Sequence, residues 1–234
     1  VDGGSVTGGI VNSGTITGGR GIALVNGSIV DDINNAGGTI SAAVGIHLAT
    51  GSSVTGGIVN SGLITAATGI RLSSASSAGS ISNSGIITAS SNGSAGIRLS
   101  SGSTVGSVSN SGTIFGVYNG IYLSRSSSVT GAITNEATGT IAASSGSGAA
   151  ILLSSGSTVG SITNHGVIAG GSGGIWLSIN TGSPTGGFGG SSVTGDITNT
   201  GIISGSSTGI ALGSGSSIDG SIVCCYRSSV GTPA

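Results

Sequence analysis

The stretch Ser5–Ser28 reads SVTGGIVNSGTITGGRGIALVNGS, and this pattern returns along the whole chain with substitutions and small insertions. Its apolar residues occur singly or in pairs between Gly, Ser, Thr and Asn, so each apolar group is too short for a helix. Ile22 and Leu24 flank Ala23, an alternation that places the two branched side chains on one face of a strand. Glycine, which costs about 1 kcal/mol in a helix interior, recurs throughout. The stretch therefore predicts three short strands joined by Gly and Asn turns.

A recurring GIxL element fixes the period of the repeat. Its first residues are Gly21, Gly45, Gly69, Gly96, Gly120, Ala150, Gly174 and Gly209. The basic step is about 24 residues, and a fixed repeat of this length indicates stacked units that bury their apolar faces against one another. We therefore predict an all-β, single-stranded parallel β-helix of about nine coils, with three short strands per coil. The helix spans residues 1–223, and an irregular C-terminal tail follows at 224–234.

An asparagine closes a V/I-x-N element once in every repeat. These asparagines are Asn12, Asn35, Asn60, Asn83, Asn110, Asn135, Asn164 and Asn199. Asparagine tolerates the left-handed backbone conformation of sharp turns. Stacked amides can also donate to one neighbour and accept from the other. We interpret the column as an internal structural ladder in preference to a ligand site.

The variable residue x of GIxL forms a second column, which we call the GIxL row. It consists of Ala23, His47, Arg71, Arg98, Tyr122, Leu152, Trp176 and Ala211. If Ile and Leu point inward, x points outward, and stacking places these side chains about 4.8 Å apart in one external row. Arginine and aromatic side chains bind sugar faces, carboxylates and sulfates. The candidate ligand-binding residues are therefore His47, Arg71, Arg98, Tyr122 and Trp176. The alternative is that bulky strand formers simply cover the backbone at these positions.

Composition argues against several classes of function. Charged residues make up 5% of the chain, lysine is absent and the net charge is −1, which disfavours nucleic acid as a partner. No apolar run of about 18 residues exists, so no membrane-spanning helix is expected. The acidic residues lie in distant coils and in different positions of the repeat: Asp2, Asp31, Asp32, Glu136, Asp196 and Asp219. We expect no catalytic set, no cofactor and no metal site, and we assign Asp31 and Asp32 to a solvated turn in preference to calcium.

The recurrent strings, such as GIRLSSGSTVGSVSNSGTI at Gly96–Ile114, resemble the passenger domains of bacterial autotransporters and related secreted adhesins. The resemblance covers about Gly4–Val223. It implies a right-handed, three-sided β-helix at the bacterial cell surface or in the extracellular space, used for adhesion, aggregation or spacing. Right-handed crossovers are also the general rule. The left-handed alternative follows from Ile10, Ile16 and Ile22, which have the spacing of hexapeptide repeats. Such helices close in coils shorter than this repeat.

Two functions fit these observations. The first is a non-catalytic surface stalk or adhesin that presents the GIxL row, or the long insertion between Leu177 and Val193, to surface glycans or proteins of a host or of bacteria. The alternative is a self-assembling fibre or sheath subunit whose coil ends stack head to tail. Ice binding is less well supported, because the Thr-x-Thr of Thr15–Thr17 is not repeated in register.

Overall fold

The apolar positions of the repeat form short strands that pair in parallel with strands one turn earlier and one turn later. A computed structural model describes residues 1–91, 93–178 and 189–224. Within these ranges the chain is a parallel β-solenoid of eight turns, with the start of a ninth, and it contains no helix. The fold predicted from the sequence is confirmed, and it is consistent with a right-handed parallel β-helix. Without any helix, these ranges also hold none that is long and apolar enough to cross a membrane.

The strands are short and follow the repeat closely. In chain order they are β1 (Ser5–Val6), β2 (Ile10–Asn12), β3 (Thr15–Leu24), β4 (Ile29–Val30), β5 (Ile33–Asn35), β6 (Thr39–Leu48), β7 (Ser53–Asn60), β8 (Leu63–Leu72), β9 (Ser77–Asn83), β10 (Ile86–Ala89), β11 (Ala95–Ser100), β12 (Thr104–Asn110), β13 (Thr113–Gly116), β14 (Asn119–Ser124), β15 (Ser128–Asn135), β16 (Thr140–Ala143), β17 (Ala149–Ser154), β18 (Thr158–Asn164), β19 (Val167–Ala169), β20 (Gly173–Ser178), β21 (Ser192–Val193), β22 (Ile197–Asn199), β23 (Ile202–Ser204), β24 (Thr208–Leu212), β25 (Ser217–Ile218) and β26 (Ile222–Cys224).

The strands form two 13-stranded parallel sheets. One sheet contains the strands that end in the V/I-x-N element, and the other contains the strands that carry GIxL. The fifth turn shows the predicted three strands, with β12 in the first sheet and β13 and β14 in the second. The GIxL row therefore lies entirely within one sheet.

Equivalent positions of the repeat lie opposite one another despite the insertions. Ile46 pairs with Ile70, and Ile70 pairs in turn with Ile97, although the second step along the chain is longer than the first. The additional residues are placed in turns or in small bulges, such as the register shift that follows Val105. Because the stacking is preserved, each column of the repeat becomes a continuous row of side chains.

Five aliphatic side chains from each inner turn form the core. In the second turn these are Val30, Ile33, Ile40, Ile46 and Leu48, and all are fully buried. Each contributes about 2 kcal/mol of hydrophobic stabilisation. The equivalent side chains are only partly buried at the outermost described turns: Val6, Ile10 and Ile16 at one end, and Ile203, Ile210 and Ile218 at the other. The core is thus one dry column that runs along the axis.

The left-handed residues of the turns are not the ladder asparagines, so the expectation based on turn conformation is wrong on this point. Left-handed pairs instead precede strands of the first sheet, as at Asn26–Gly27 (φ 56° and 73°) before β4 and Thr50–Gly51 (φ 56° and 70°) before β7. The ladder asparagines end their strands without a positive φ, and their side chains hold the turn. Asn60 Nδ2, for example, donates to Gly62 O at 3.2 Å. The amide, and not backbone freedom, explains why asparagine recurs there.

A buried serine row follows the left-handed pairs and was not anticipated from the sequence. Each Oγ donates to the carbonyl three residues earlier, as in Ser103 Oγ to Ser100 O at 2.8 Å. The serines that share this bond are Ser28, Ser52, Ser76, Ser103, Ser127 and Ser157. The sequence signal is a Ser directly before a Ser/Thr-Val pair, which is present at Ser52, Ser103, Ser127 and Ser157. These bonds join the two ends of each tight turn and give each of these serine hydroxyls an acceptor inside the protein.

Parts of the long insertion and of the predicted C-terminal tail lie outside the described residues. The long insertion includes residues 179–188, with Pro184 and Phe188, and the tail includes residues 225–234. The last described strand ends at Cys224, which pairs in register with Asn199. The cysteine therefore occupies the ladder column.

Candidate functional site

The structure places the GIxL residues in one row across consecutive strands of the second sheet. The register joins Ala23 to His47, His47 to Arg71, and Arg71 to Arg98. It continues through Tyr122, Leu152 and Trp176 and ends at Ala211. All five candidate binding residues therefore lie side by side, although 129 positions of sequence separate His47 from Trp176.

The side chains of the row are partly buried. The sequence analysis instead predicts an external row. Arg71, Arg98, Tyr122 and Trp176 are half-buried, and His47 is only 7% exposed. Neighbouring side chains of the same row cover one another, because adjacent turns lie only about 4.8 Å apart. The row is therefore a line of partly desolvated side chains.

Arg98 and Tyr122 make direct contact at the centre of the row. The guanidinium Cζ of Arg98 lies 5.3 Å from the centroid of the Tyr122 ring, a distance typical of a cation–π pair. Arg98 Nη1 also donates to Gly93 O at 3.5 Å. The Tyr122 hydroxyl accepts a hydrogen bond from Ser154 Oγ at 3.3 Å. The cationic part of the row (Arg71 and Arg98) thus lies directly beside its aromatic part (Tyr122 and Trp176).

The cationic part has a strongly positive environment. Burial lowers the pKa of Arg71, and the positive charges of Arg98 and Arg20 lower it further. Arg20 lies outside the row, on β3, and the sequence analysis did not connect it with the site. No carboxylate is among the groups that act on Arg71. Among the described residues, Arg20, Arg71 and Arg98 are therefore close enough for their positive charges to repel one another.

His47 is the most deeply buried member of the row. Burial, with repulsion from Arg20 and Arg71, lowers the pKa of His47 from 6.5 to about 4. Its Nε2 lies 3.4 Å from Ser73 Oγ, and its Nδ1 is buried without a hydrogen-bond partner. His47 is therefore neutral at pH 7.

This pKa predicts a loss of stability in acid. Because the unfolded chain binds a proton at His47 near pH 6.5 and the folded chain only near pH 4, the contribution of neutral His47 is present above pH 6.5 and is lost as the pH falls toward 4. We expect the melting temperature, followed by circular dichroism, to fall between about pH 7.5 and about pH 4.5. The fall should be smaller in His47→Gln, which cannot take up the proton. An equal fall in both proteins would contradict the assignment.

Two adjoining depressions lie beside the aromatic part of the row. The larger has a volume of about 440 Å³ and is lined by Arg98, Tyr122 and Leu152, among others. The smaller has a volume of about 280 Å³ and is lined by Leu152 and Trp176, with Ser147 on its rim. Tyr118 lines both depressions. The sequence analysis missed Tyr118 and Ser147, because neither belongs to a column that the alignment singled out. Tyr118 lies in the turn before GIxL of a coil of ordinary length, and Ser147 lies in an insertion.

The asparagine column forms a continuous hydrogen-bonded ladder inside the solenoid. Every Nδ2 from Asn12 to Asn164 donates to the Oδ1 of the next asparagine at 2.7 or 2.8 Å. Most members are fully buried. Because both polar atoms of each inner amide are engaged within the protein, the ladder leaves no group that faces a ligand.

Three of the acidic side chains bind the backbone of neighbouring turns. Asp31 Oδ2 accepts from Gly8 N at 2.8 Å, and Asp32 Oδ1 accepts from Gly57 N at 2.7 Å. Asp196 Oδ1 accepts from Ser221 N in the same way, at 2.7 Å. These carboxylates join successive coils, which is a structural role that the expectation of a solvated turn did not include.

The row holds the side chains best suited to binding a ligand. The period of the repeat correctly predicted which residues it aligns. Comparison of the chain with protein-family models, with curated proteins and with solved structures found no match. The chain is a β-helical repeat protein. That description comes from its repeat and its fold alone, so a function must be argued from the row.

Proposed function

We propose that the protein is a non-catalytic scaffold of the extracellular space or bacterial cell surface, in which the solenoid holds the GIxL row for binding to surface glycans or proteins. One observation supports this proposal above the others: two of the five arginines, one of the two histidines, one of the three tyrosines and the single tryptophan of a nearly uncharged chain share one row. Such a row provides cation–π, stacking and bidentate contacts side by side. This function agrees with the resemblance to autotransporter passenger domains and secreted adhesins.

The energetics of the row also favour binding over a purely structural role. A scaffold gains nothing from arginines on adjacent strands, because like charges placed opposite one another destabilise a sheet. Arg71 and Arg98 are paired in this way. Leucine fills the same column at position 152 and alanine at position 211. The fold therefore accepts apolar residues there, and the arginines are better explained by a ligand.

A triple variant tests the proposed function. We expect Arg71→Ser with Arg98→Ser and Trp176→Ser to lower binding to cells or to immobilised surface glycans by roughly tenfold or more, since it removes both charge-assisted and stacking contacts. Binding would be measured by a pull-down on intact cells and by a glycan array. The melting temperature should be unchanged, because none of the three side chains belongs to the core.

A control variant changes two exposed residues that lie in other columns of the repeat. Val59 and Ile86 are 36% and 47% exposed and lie outside the row. The variant Val59→Ser with Ile86→Ser should therefore bind like the unmodified protein. Equal binding by the triple variant and this control would remove the row as the binding surface. Long uniform filaments in electron micrographs of the purified protein would instead support a self-assembling fibre.

A further inference from the structure

The GIxL row contains most of the unsatisfied buried polar atoms in the described part of the chain. Four buried side-chain nitrogen atoms there have no hydrogen-bond partner, and three of them belong to the row. These three are His47 Nδ1, Arg71 Nε and Arg98 Nε, on three consecutive turns. Leaving a buried polar group unpaired costs about 1–3 kcal/mol, and native proteins rarely do so without a functional reason. The asparagine ladder pairs its own buried amides, whereas the fourth unpaired nitrogen is Asn119 Nδ2, which lies outside both the ladder and the row.

The two unpaired Nε atoms indicate which ligand groups Arg71 and Arg98 can bind. A carboxylate or sulfate binds an arginine side-on through Nε and one Nη, and this edge must not already be engaged. Arg71 and Arg98 both keep the edge free, and no described carboxylate acts on Arg71. The two Nε atoms lie beneath neighbouring side chains, so binding requires the guanidinium groups to turn outward. Together the two arginines suit negative charges spaced along an extended ligand.

His47 suits a ligand that also carries hydroxyl groups. In the tautomer that carries its proton on Nε2, beside Ser73 Oγ, the unpaired Nδ1 is a hydrogen-bond acceptor. Because Nδ1 is buried, a ligand hydroxyl reaches it only if the ring turns outward. The neighbouring aromatic part provides Tyr122 and Trp176 beside the two depressions, and aromatic rings of this kind can pack against sugar rings. The ligand is therefore acidic at one end of the row and stacks on aromatic rings at the other.

An acidic peptide fits this surface less well. Peptides often bind a sheet by adding a strand to a free edge. The strands β8, β11, β14 and β17 are paired on both sides, so the backbone beneath the row has no free edge. A ligand must be recognised by side chains alone. The row advances by about 4.8 Å per turn, close to the length of one pyranose ring in an extended chain.

We propose that the row from His47 to Trp176 binds an extended acidic polysaccharide, with its carboxylate or sulfate groups on Arg71 and Arg98 and its sugar faces on Tyr122 and Trp176. The inference rests on the proposed function and names the ligand class of the same surface. Trp176 is the only tryptophan of the chain, so its fluorescence reports directly on binding.

The test is a fluorescence titration of the full chain with three probes: hexameric oligogalacturonate, neutral cellohexaose and hexaglutamate. We expect a saturable change with oligogalacturonate only, and an affinity that falls between about 50 mM and about 200 mM NaCl. Arg71→Ser and Arg98→Ser should each weaken this binding by roughly tenfold or more. Both variants remove an unpaired buried atom, so both should fold.

Arg125→Ser is the matched control, because it removes the same charge outside the row. Arg125 is exposed, and the equivalent turn position is serine at Ser74, Ser101 and Ser155, with the same φ of 55° to 57°. We expect the affinity of this variant to be unchanged. Equal binding of cellohexaose or of hexaglutamate would overturn the acidic-polysaccharide inference but leave the row as a binding surface. Binding of oligogalacturonate that both arginine variants leave intact would overturn the inference. The triple-variant experiment tests the proposed function separately.

Discussion

Replacing Asn110 by leucine is expected to destabilise the protein by about 4 kcal/mol. Asn110 is fully buried in the middle of the ladder. Its Nδ2 donates to Asn135 Oδ1 at 2.8 Å, and its Oδ1 accepts from Asn83 Nδ2 at 2.8 Å. Leucine has a similar size but no polar atom, so the substitution leaves Asn135 Oδ1 without its donor and also removes the bonds from Asn110 Nδ2 to Gly112 O and Thr140 O. Asn83 Nδ2 keeps its bonds to Gly85 O and Thr113 O. Each unsatisfied group costs about 1–3 kcal/mol.

The same substitution at the end of the ladder is the control. Asn199 is only half-buried, and its Nδ2 donates to Gly201 O, with no further asparagine beyond it in the described chain. Asn199→Leu should cost less than half as much as Asn110→Leu, because solvent reaches the group left behind. Denaturant unfolding of both variants would measure the difference. Hydrogen exchange would show whether the turns beside Asn110 open first, as nearest-neighbour stacking predicts. Equal losses would contradict a role for ladder continuity.

Gly112→Ala should be similarly severe, with a loss of about 3 kcal/mol or more. A Cβ at Gly112 would lie 2.1 Å from Gly85 O and 2.7 Å from the Ser84 carbonyl carbon, which are backbone atoms of the preceding turn. These atoms cannot move aside without breaking the inter-turn hydrogen bonds. The substitution therefore forces two turns apart at the point where the repeat places Asn-Ser-Gly.

The variant Gly102→Ala measures the cost of backbone conformation alone, without the steric clash expected at Gly112. Gly102 has φ 71°, and a Cβ there would meet nothing within 4 Å. Its cost is only that of a left-handed alanine, about 1–2 kcal/mol. The equivalent residue in the preceding coil is Ala75, with φ 57°, so the fold accepts alanine at this turn. Thermal or denaturant unfolding of the two variants provides the comparison. A smaller loss for Gly112→Ala than for Gly102→Ala would contradict the packing argument.

Much of the candidate site could be predicted because its columns follow from one local rule. Alternation in a strand places x of GIxL on the face opposite Ile and Leu, and the period then aligns His47, Arg71 and Trp176. The depressions could not be predicted in this way. Tyr118 lies in the turn before β14, outside the aligned columns, and only the packing of the turns brings it to the depression that Tyr122 also lines.

The left-handed turns were also hidden from sequence reasoning. The residues that adopt positive φ include Asn26, Thr50, Ala75 and Arg125, so no single residue type marks the position. Asparagine, which tolerates this conformation, occurs mainly in the ladder and serves there through its amide. Residue preference therefore indicated the wrong column, because hydrogen bonding between turns outweighed backbone preference.

The sequence by itself determined the period, the inward and outward faces of each strand and the order of side chains along each row. These properties depend on residues two positions apart and on a repeat that can be aligned by eye. Only the tertiary structure decided that His47 is buried with a pKa of about 4, that Arg71 and Arg98 keep free Nε atoms, and that Asp31 and Asp32 bind other turns. Solvent access and charge interactions depend on atoms from neighbouring turns, and stacking brings those atoms within a few ångströms although they are more than 20 residues away in the chain.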